Sequence, residues 1–191
     1  RDIHSFPTRR SSDLRLLITG VKSDKNSFAQ GKRIPEIAAI WGMSEVDAAW
    51  RLLTEEELEV GQARFGMCEE DVKLVMASPY VMVGSDSGCM AVDGPLAKGH
   101  PHPRTFGTFP RVLGHYCRDE KVFPLERAVY KMTGMAAWRV GLWDRGLIRP
   151  GMKADLTLFD PDTIIDMATF EAPLNYPKGI EKVWVDRKSV V

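Results

Sequence analysis

Apolar positions along this chain fall into two rhythms, and they predict alternating strands and helices. Leu16, Leu17 and Ile18 form a short continuous run that reads as a strand ending at Thr19-Gly20. The polar stretch 23–33 reads as a loop. Pro35 then opens a helix, with Ile37, Ala38 and Trp41 on one face and Gly42 as its stop. Ser44 suits the N-cap of a second helix, whose Val46, Ala49, Trp50 and Leu53 give the expected buried stripe. A strand is predicted over 63–67, followed by a helix that starts at Glu69-Glu70-Asp71 and turns Val72, Val75 and Met76 inward. Val81, Met82 and Val83 read as a strand buried on both faces, the signature of a parallel sheet. Beyond it, Phe109, Val112, Leu113 and Tyr116 lie at helical spacing. Leu125, Ala128, Val129 and Met132 repeat that spacing after Pro124.

Strands alternating with helices over short connections predict a parallel α/β layout. The rhythm changes after Gly141. A turn at Arg149-Pro150-Gly151 leads into residues 154–159 (ADLTLF), which alternate as a β-strand, and 180–185 reads as a last strand. A βα region is therefore followed by a small β region.

Both ends fit this pattern poorly. Residues 1–14 (RDIHSFPTRRSSDL) are basic and serine-rich without periodicity, and they resemble translated adapter sequence; residues 186–191 (DRKSVV) are similar in kind. Both are expected to be non-native.

Composition narrows the function classes. Lysines and arginines number 26 and acidic residues 26, so the formal charge is zero, and no basic block marks a nucleic-acid footprint. No apolar run approaches the length of a membrane span. Cys68, Cys89 and Cys117 are odd in number and far apart, which argues against a disulfide framework and fits a reducing, cytoplasmic location.

Candidate chemistry concentrates in 81–111 (VMVGSDSGCMAVDGPLAKGHPHPRTFGTFPR). Asp86 follows the apolar run, where a carboxylate at a strand's end is either used in chemistry or held as a capping or turn residue. The glycine- and proline-rich loop after it is polar enough to be a lid or a binding loop. His100 and His102 have the spacing of a metal-binding pair on a strand. Pro101 and Pro103 deny the ladder two donors, however, so they read as loop histidines. Arg104 offers a guanidinium that grips a carboxylate through two parallel bonds, or a surface ion pair. Lys98 is as easily a solvated loop residue as a substrate contact. Cys89 has no evident histidine partner, and His115 beside Tyr116 reads as structural.

Three blocks carry a resemblance to a known family. They are GSD at 84–86 with DGPLAKGHPHPRTFGTFPRVLGHY at 93–116, KMTGMAAWRVGLWDRGLIRPGMKADLTLFDPDT at 131–163, and ATFEAPLNYPKGIEKVWV at 168–185. In them the chain resembles the C-terminal part of the D-aminoacylases, N-acyl-D-amino-acid deacylases of the amidohydrolase superfamily. The resemblance implies a metal-dependent (β/α)₈ barrel with a small composite β-domain. It assigns 15–140 to the last part of the barrel and 141–185 to the β-domain. It further implies hydrolysis of the linear amide of N-acyl-D-amino acids, a small-molecule substrate, and one or two zinc ions. Asp86 would be the general acid and base beside the metal; Arg104, with His100 and His102 nearby, would bind substrate. The family's main metal ligands have no counterpart here, so no residue of this chain is assigned as a certain ligand, and the chain alone is expected to be inactive. Two other readings stay open: an amidohydrolase of cyclic amides (dihydroorotase- or hydantoinase-like), and a non-catalytic α/β binding module.

Overall fold

The structure, a computed structural model, describes residues 16–64 and 66–189. The segment 1–14 expected to be non-native lies outside them. Two compact units are present. One is formed by the described part of Arg1–Gly66 with Lys98–His102, the other by Met67–Ala97 with the chain from Pro103 onward.

In the first unit, β1 (Leu16–Gly20) pairs with β2 (Gly61–Arg64), Leu17 standing opposite Ala63. The pair is antiparallel, which corrects the parallel layout expected from the sequence. Two helices lie between these strands, α1 (Ile34–Trp41) and α2 (Glu45–Glu55). A single crossover helix returns the chain to the edge where the first strand began; a second helix sends it back, so the next strand runs the opposite way. Local signals are obeyed closely. Glu36 accepts the Arg33 N–H at 2.7 Å at the start of α1. Ser44 Oγ accepts the Asp47 N–H at 3.1 Å at the start of α2.

Ile18, Ala29, Ile34, Ile37 and Leu52 form this unit's core. The buried face of α2 is Ala48 and Leu52, whereas Val46 and Trp50 are 61% and 65% exposed, against the stripe read from the sequence. Apolar residues cover too wide an arc of α2 for β1 and α1 to bury all of it. The surplus stripe instead lines an open groove of about 690 Å³, with Leu16, Ile34 and Val60.

The stretch expected to be a loop contains a 3₁₀ turn, Asp24–Ala29, fixed by charge. Glu56 is fully buried. Its carboxylate accepts the Lys22 N–H at 2.6 Å, the Ser23 N–H at 2.7 Å, the Ser23 hydroxyl at 2.5 Å and the Asn26 amide at 2.6 Å. Asn26, also buried, donates to Glu55 at 3.0 Å as well. A buried carboxylate is tolerable only with such a full set of donors.

In the second unit the core is Val112, Leu113, Tyr116, Cys117, Phe123, Ala128 and Ile164. Helix α3 (Glu69–Ala77) lends it Val72 and Met76, while Val75 is exposed rather than inward. Helix α4 (Arg104–Arg111) runs directly into a π-helical stretch, Val112–Asp119. Pro110 inside α4 brings no backbone N–H, and widening of the following turns relieves such a break. Gly114 allows the chain at Ile164 to pack against this stretch, since a Cβ there would stand 2.2 Å from the Ile164 carbonyl oxygen. Helices α5 (Leu125–Met132) and α6 (Gly134–Arg139) follow.

A three-stranded antiparallel sheet closes the chain: β3 (Leu156–Phe159), β4 (Ile180–Val185) and β5 (Lys188–Ser189). Asp186 and Arg187 both adopt positive φ between β4 and β5, as a tight hairpin turn requires. Asp155 holds that turn, accepting the Asp186 N–H at 2.9 Å and pairing with Arg145 at 2.7 Å. Leu156 and Leu158 are left largely exposed. Among the described residues no helix is long and apolar enough to cross a membrane, and all three cysteines are free.

Glu56 gives a pH prediction. Its hydrogen bonds, that from Ser23 foremost, hold its carboxyl at about 2 against an ordinary 4.5. A lowered folded-state pKa contributes stability that is complete above about 4.5 and is lost as pH falls towards about 2. Glu56→Gln is expected to destabilise the protein at about pH 7, with the gap to wild type narrowing by about pH 3. Denaturant midpoints at the two pH values check this; an equal gap at both would contradict it.

Candidate active site

The segment that carries Asp86 differs from its sequence reading. Residues 80–84 form no strand; Val81, Met82 and Val83 are only half-buried. Among the described residues no strand flanks this segment to complete a ladder. Part of its backbone is bonded to α5. Lys131, on α5, is 1% exposed, and its Nζ donates to the Ser78 carbonyl at 2.5 Å and the Val81 carbonyl at 2.7 Å. The Val83 N–H donates in turn to the Lys131 carbonyl at 3.4 Å. The ammonium also lies 5.9 Å from the Phe123 ring, within range of a cation–π contact. Burial pushes the Lys131 pKa down, and neighbouring Arg127 adds to the shift.

Sequence reasoning missed Lys131. The available signal was a lysine three residues after Ala128, on the inward arc of an otherwise apolar helical face. Helical period alone does not separate such a lysine from one that snorkels to solvent.

Asp86 follows this segment in a left-handed backbone conformation, φ 47°, which aspartate tolerates better than most residues. Its side chain is exposed and pairs with Arg104, Nη2 to Oδ2 at 2.8 Å. Arg104 Nε also donates to the Asp86 carbonyl at 3.0 Å. One guanidinium thus grips both the carboxylate and the backbone of the same residue. The Ser87 hydroxyl donates to Thr105 Oγ1 at 2.8 Å beside it. Arg104 is the first residue of α4 rather than a loop residue, so its backbone is fixed by the helix, and Thr108 Oγ1 donates to its carbonyl at 2.8 Å. The structure therefore brings together two of the residues singled out in the sequence, Asp86 and Arg104. Separated by 18 positions, they meet because the intervening loop returns the chain to the start of α4.

His100 and His102 belong to the other unit. Neither lies in a strand, in keeping with the prolines beside them. The His100 N–H donates to the Thr19 carbonyl at 2.8 Å, at the end of β1. Its ring packs on Gly31, where a Cβ would come within 3.1 Å of the imidazole and where φ is +77°. Only glycine meets both demands comfortably. His102 is half-buried. His115 lies on the π-helical stretch, 3.6 Å from Glu120 and edge-on to Tyr116, a structural setting. Among the described residues no group of three or more His, Cys, Asp or Glu side chains is placed to hold a metal ion.

The chain is 45% identical over 156 residues to a D-aminoacylase of Alcaligenes xylosoxydans xylosoxydans, covering 82% of this chain and 30% of that protein. It is 38% identical to an N-acyl-D-aspartate deacylase of the same organism, covering 99% of this chain and 37% of that protein. Among solved structures it superimposes with a TM-score of 0.81, at 36% identity, on an N-acyl-D-glutamate deacylase from Bordetella bronchiseptica complexed with zinc and a phosphonate inhibitor. That match covers 94% of this chain and 35% of the other. A crystal structure of D-aminoacylase gives a TM-score of 0.77 at 43% identity, covering 92% of this chain and 34% of that one. The chain thus spans about a third of the length of the relatives it matches. Residues 29–191 match the pattern of the amidohydrolase family, and the chain belongs to that family.

Proposed function

We propose that the protein carrying this chain is a zinc-dependent hydrolase that cleaves the linear amide of N-acyl-D-amino acids, this chain forming the last part of its (β/α)₈ barrel and part of its β-domain. The observation that carries the reading is the pairing of Asp86 with Arg104 at 2.8 Å, in a chain 36–45% identical to deacylases of N-acyl-D-amino acids. An open-chain substrate of this class presents a free α-carboxylate, and a hydantoin, whose carboxyl carbon is closed into the ring, does not.

In this proposal Arg104 holds the substrate carboxylate through parallel hydrogen bonds. Asp86 takes a proton from the attacking water and delivers one to the leaving nitrogen, without which an amine departs poorly. The pair seen in the structure is exposed and contributes little to stability, so exchange of Asp86 for a substrate carboxylate on Arg104 is cheap. Arrival of substrate then frees Asp86 for proton transfer. Zinc, when bound, supplies an activated water and polarises the acyl carbonyl. The described residues offer no ligand set for it, so the ligands are proposed to lie outside this chain, and no step is derived through the metal. His100 and His102 are included as substrate-binding residues, and a cytoplasmic location suits the three free cysteines.

The deciding assay offers the full-length protein N-acetyl-D-amino acids and, separately, hydantoins. Turnover of the linear substrates is expected, and turnover of the cyclic amides alone would replace this reading with the alternative hydrolase. The 191-residue chain by itself is expected to show no turnover in the same assay.

Two variants of the full-length protein separate the roles. Asp86→Asn is expected to lower kcat by roughly 10²–10⁴-fold with metal content unchanged. Arg104→Lys is expected to raise KM about tenfold with a smaller effect on kcat, because an ammonium cannot copy the two-point grip. Near-wild-type kcat in the Asp86 variant would remove it from the mechanism.

A further inference from the structure

We propose that Lys131 is a positioning residue for Asp86, an inference that rests on the catalytic role proposed for that aspartate. Lys131 reaches three backbone groups within six residues: the carbonyls of Ser78 and Val81 through its ammonium, and the N–H of Val83 through its own carbonyl. The last of these lies three residues before Asp86. These bonds tie the segment leading to Asp86 to α5, beside the turn in which the Val81 N–H donates to the Ser78 carbonyl at 3.5 Å.

The choice of residue is informative. A buried ammonium is costly, and an apolar side chain of similar volume often gives equal or better stability at such a site. Stability alone therefore does not call for lysine here. What an apolar residue lacks is a donor able to bind two carbonyls at once and so hold the segment at a fixed height against α5. Asp86 is gripped at its other side by Arg104, through both carboxylate and carbonyl. When a substrate carboxylate takes over the guanidinium, the Lys131 clamp still holds the approach to the aspartate where a proton can be passed. Small displacements at such a point are expensive in rate.

The test uses the full-length protein, with active sites counted by titration with a phosphonate inhibitor so that misfolded molecules do not enter kcat. Lys131→Met is expected to lower kcat roughly tenfold or more while KM moves less than about twofold. Lys131→Gln keeps an N–H₂ donor and is expected to recover part of the loss. In an Asp86→Asn background, Lys131→Met should cost less than about twofold, since there is no longer a proton-transferring carboxylate to position. Equal cost in both backgrounds would overturn the proposal, because a purely structural lysine would act alike in each. Hydrogen exchange gives a readout independent of activity: amides of residues 80–86 should exchange about tenfold faster in the Met variant. Unchanged exchange there would refute the clamp. Faster exchange, in a protein that does not turn over N-acyl-D-amino acids at all, would refute the deacylase reading and with it the role given to Asp86.

Discussion

Backbone groups on the approach to Asp86 must find partners, and two of the carbonyls find theirs in one buried ammonium. In an ordinary sheet the partners are neighbouring strands, which leave side chains free to point to either face. Here Lys131 supplies them from a helix, so the path of Ser78–Val83 is coupled to the packing of α5. The core that holds α5, built on Ala128, Phe123 and the π-helical residues Val112 to Cys117, thereby also holds the approach to the candidate catalytic carboxylate.

The second anchor of the site is Arg104, and its position depends on how α4 is attached. Pro110 removes a hydrogen bond from the helix, and the next turns widen into the π-helical stretch. Gly114 then lets the backbone at Ile164 lie against that stretch at a distance no other residue would permit. Arg118 reinforces the contact by donating to the carbonyls of Asp162 at 3.1 Å and Ile164 at 2.8 Å. A guanidinium is useful as a two-point grip only when its backbone is fixed. The packing around Gly114 provides that fixity.

The first unit uses the same device with the opposite sign. The Glu56 carboxylate gathers the N–H groups of Lys22 and Ser23, the Ser23 hydroxyl and the Asn26 amide, shaping a polar turn that hydrophobic burial alone would leave undefined. In both units a buried charged side chain organises a stretch that lies in no strand among the described residues. Each charge is compatible with burial because it is hydrogen-bonded, Glu56 accepting four bonds and the Lys131 ammonium donating two.

Local rules written in the sequence were obeyed where local interactions decide. The helix beginning near Pro35, the Ser44 cap, the stop at Gly42, the loop histidines between prolines and the strands near 156–159 and 180–185 all follow from neighbouring residues and were legible. Asp86 and Arg104 were legible as candidates, because a carboxylate after an apolar run and an arginine in a glycine- and proline-rich loop are unusual locally. Their pairing was not, because it depends on how the loop between them returns. Strand direction, the exposed stripe of α2 and the lack of a strand over 80–84 among the described residues also escaped, since each depends on which surfaces are available to cover an apolar face. Lys131 shows the difference most sharply. By sequence it is one charged residue on a helix; only tertiary packing turns it inward, where the cost of burying its charge is offset by the carbonyls it binds.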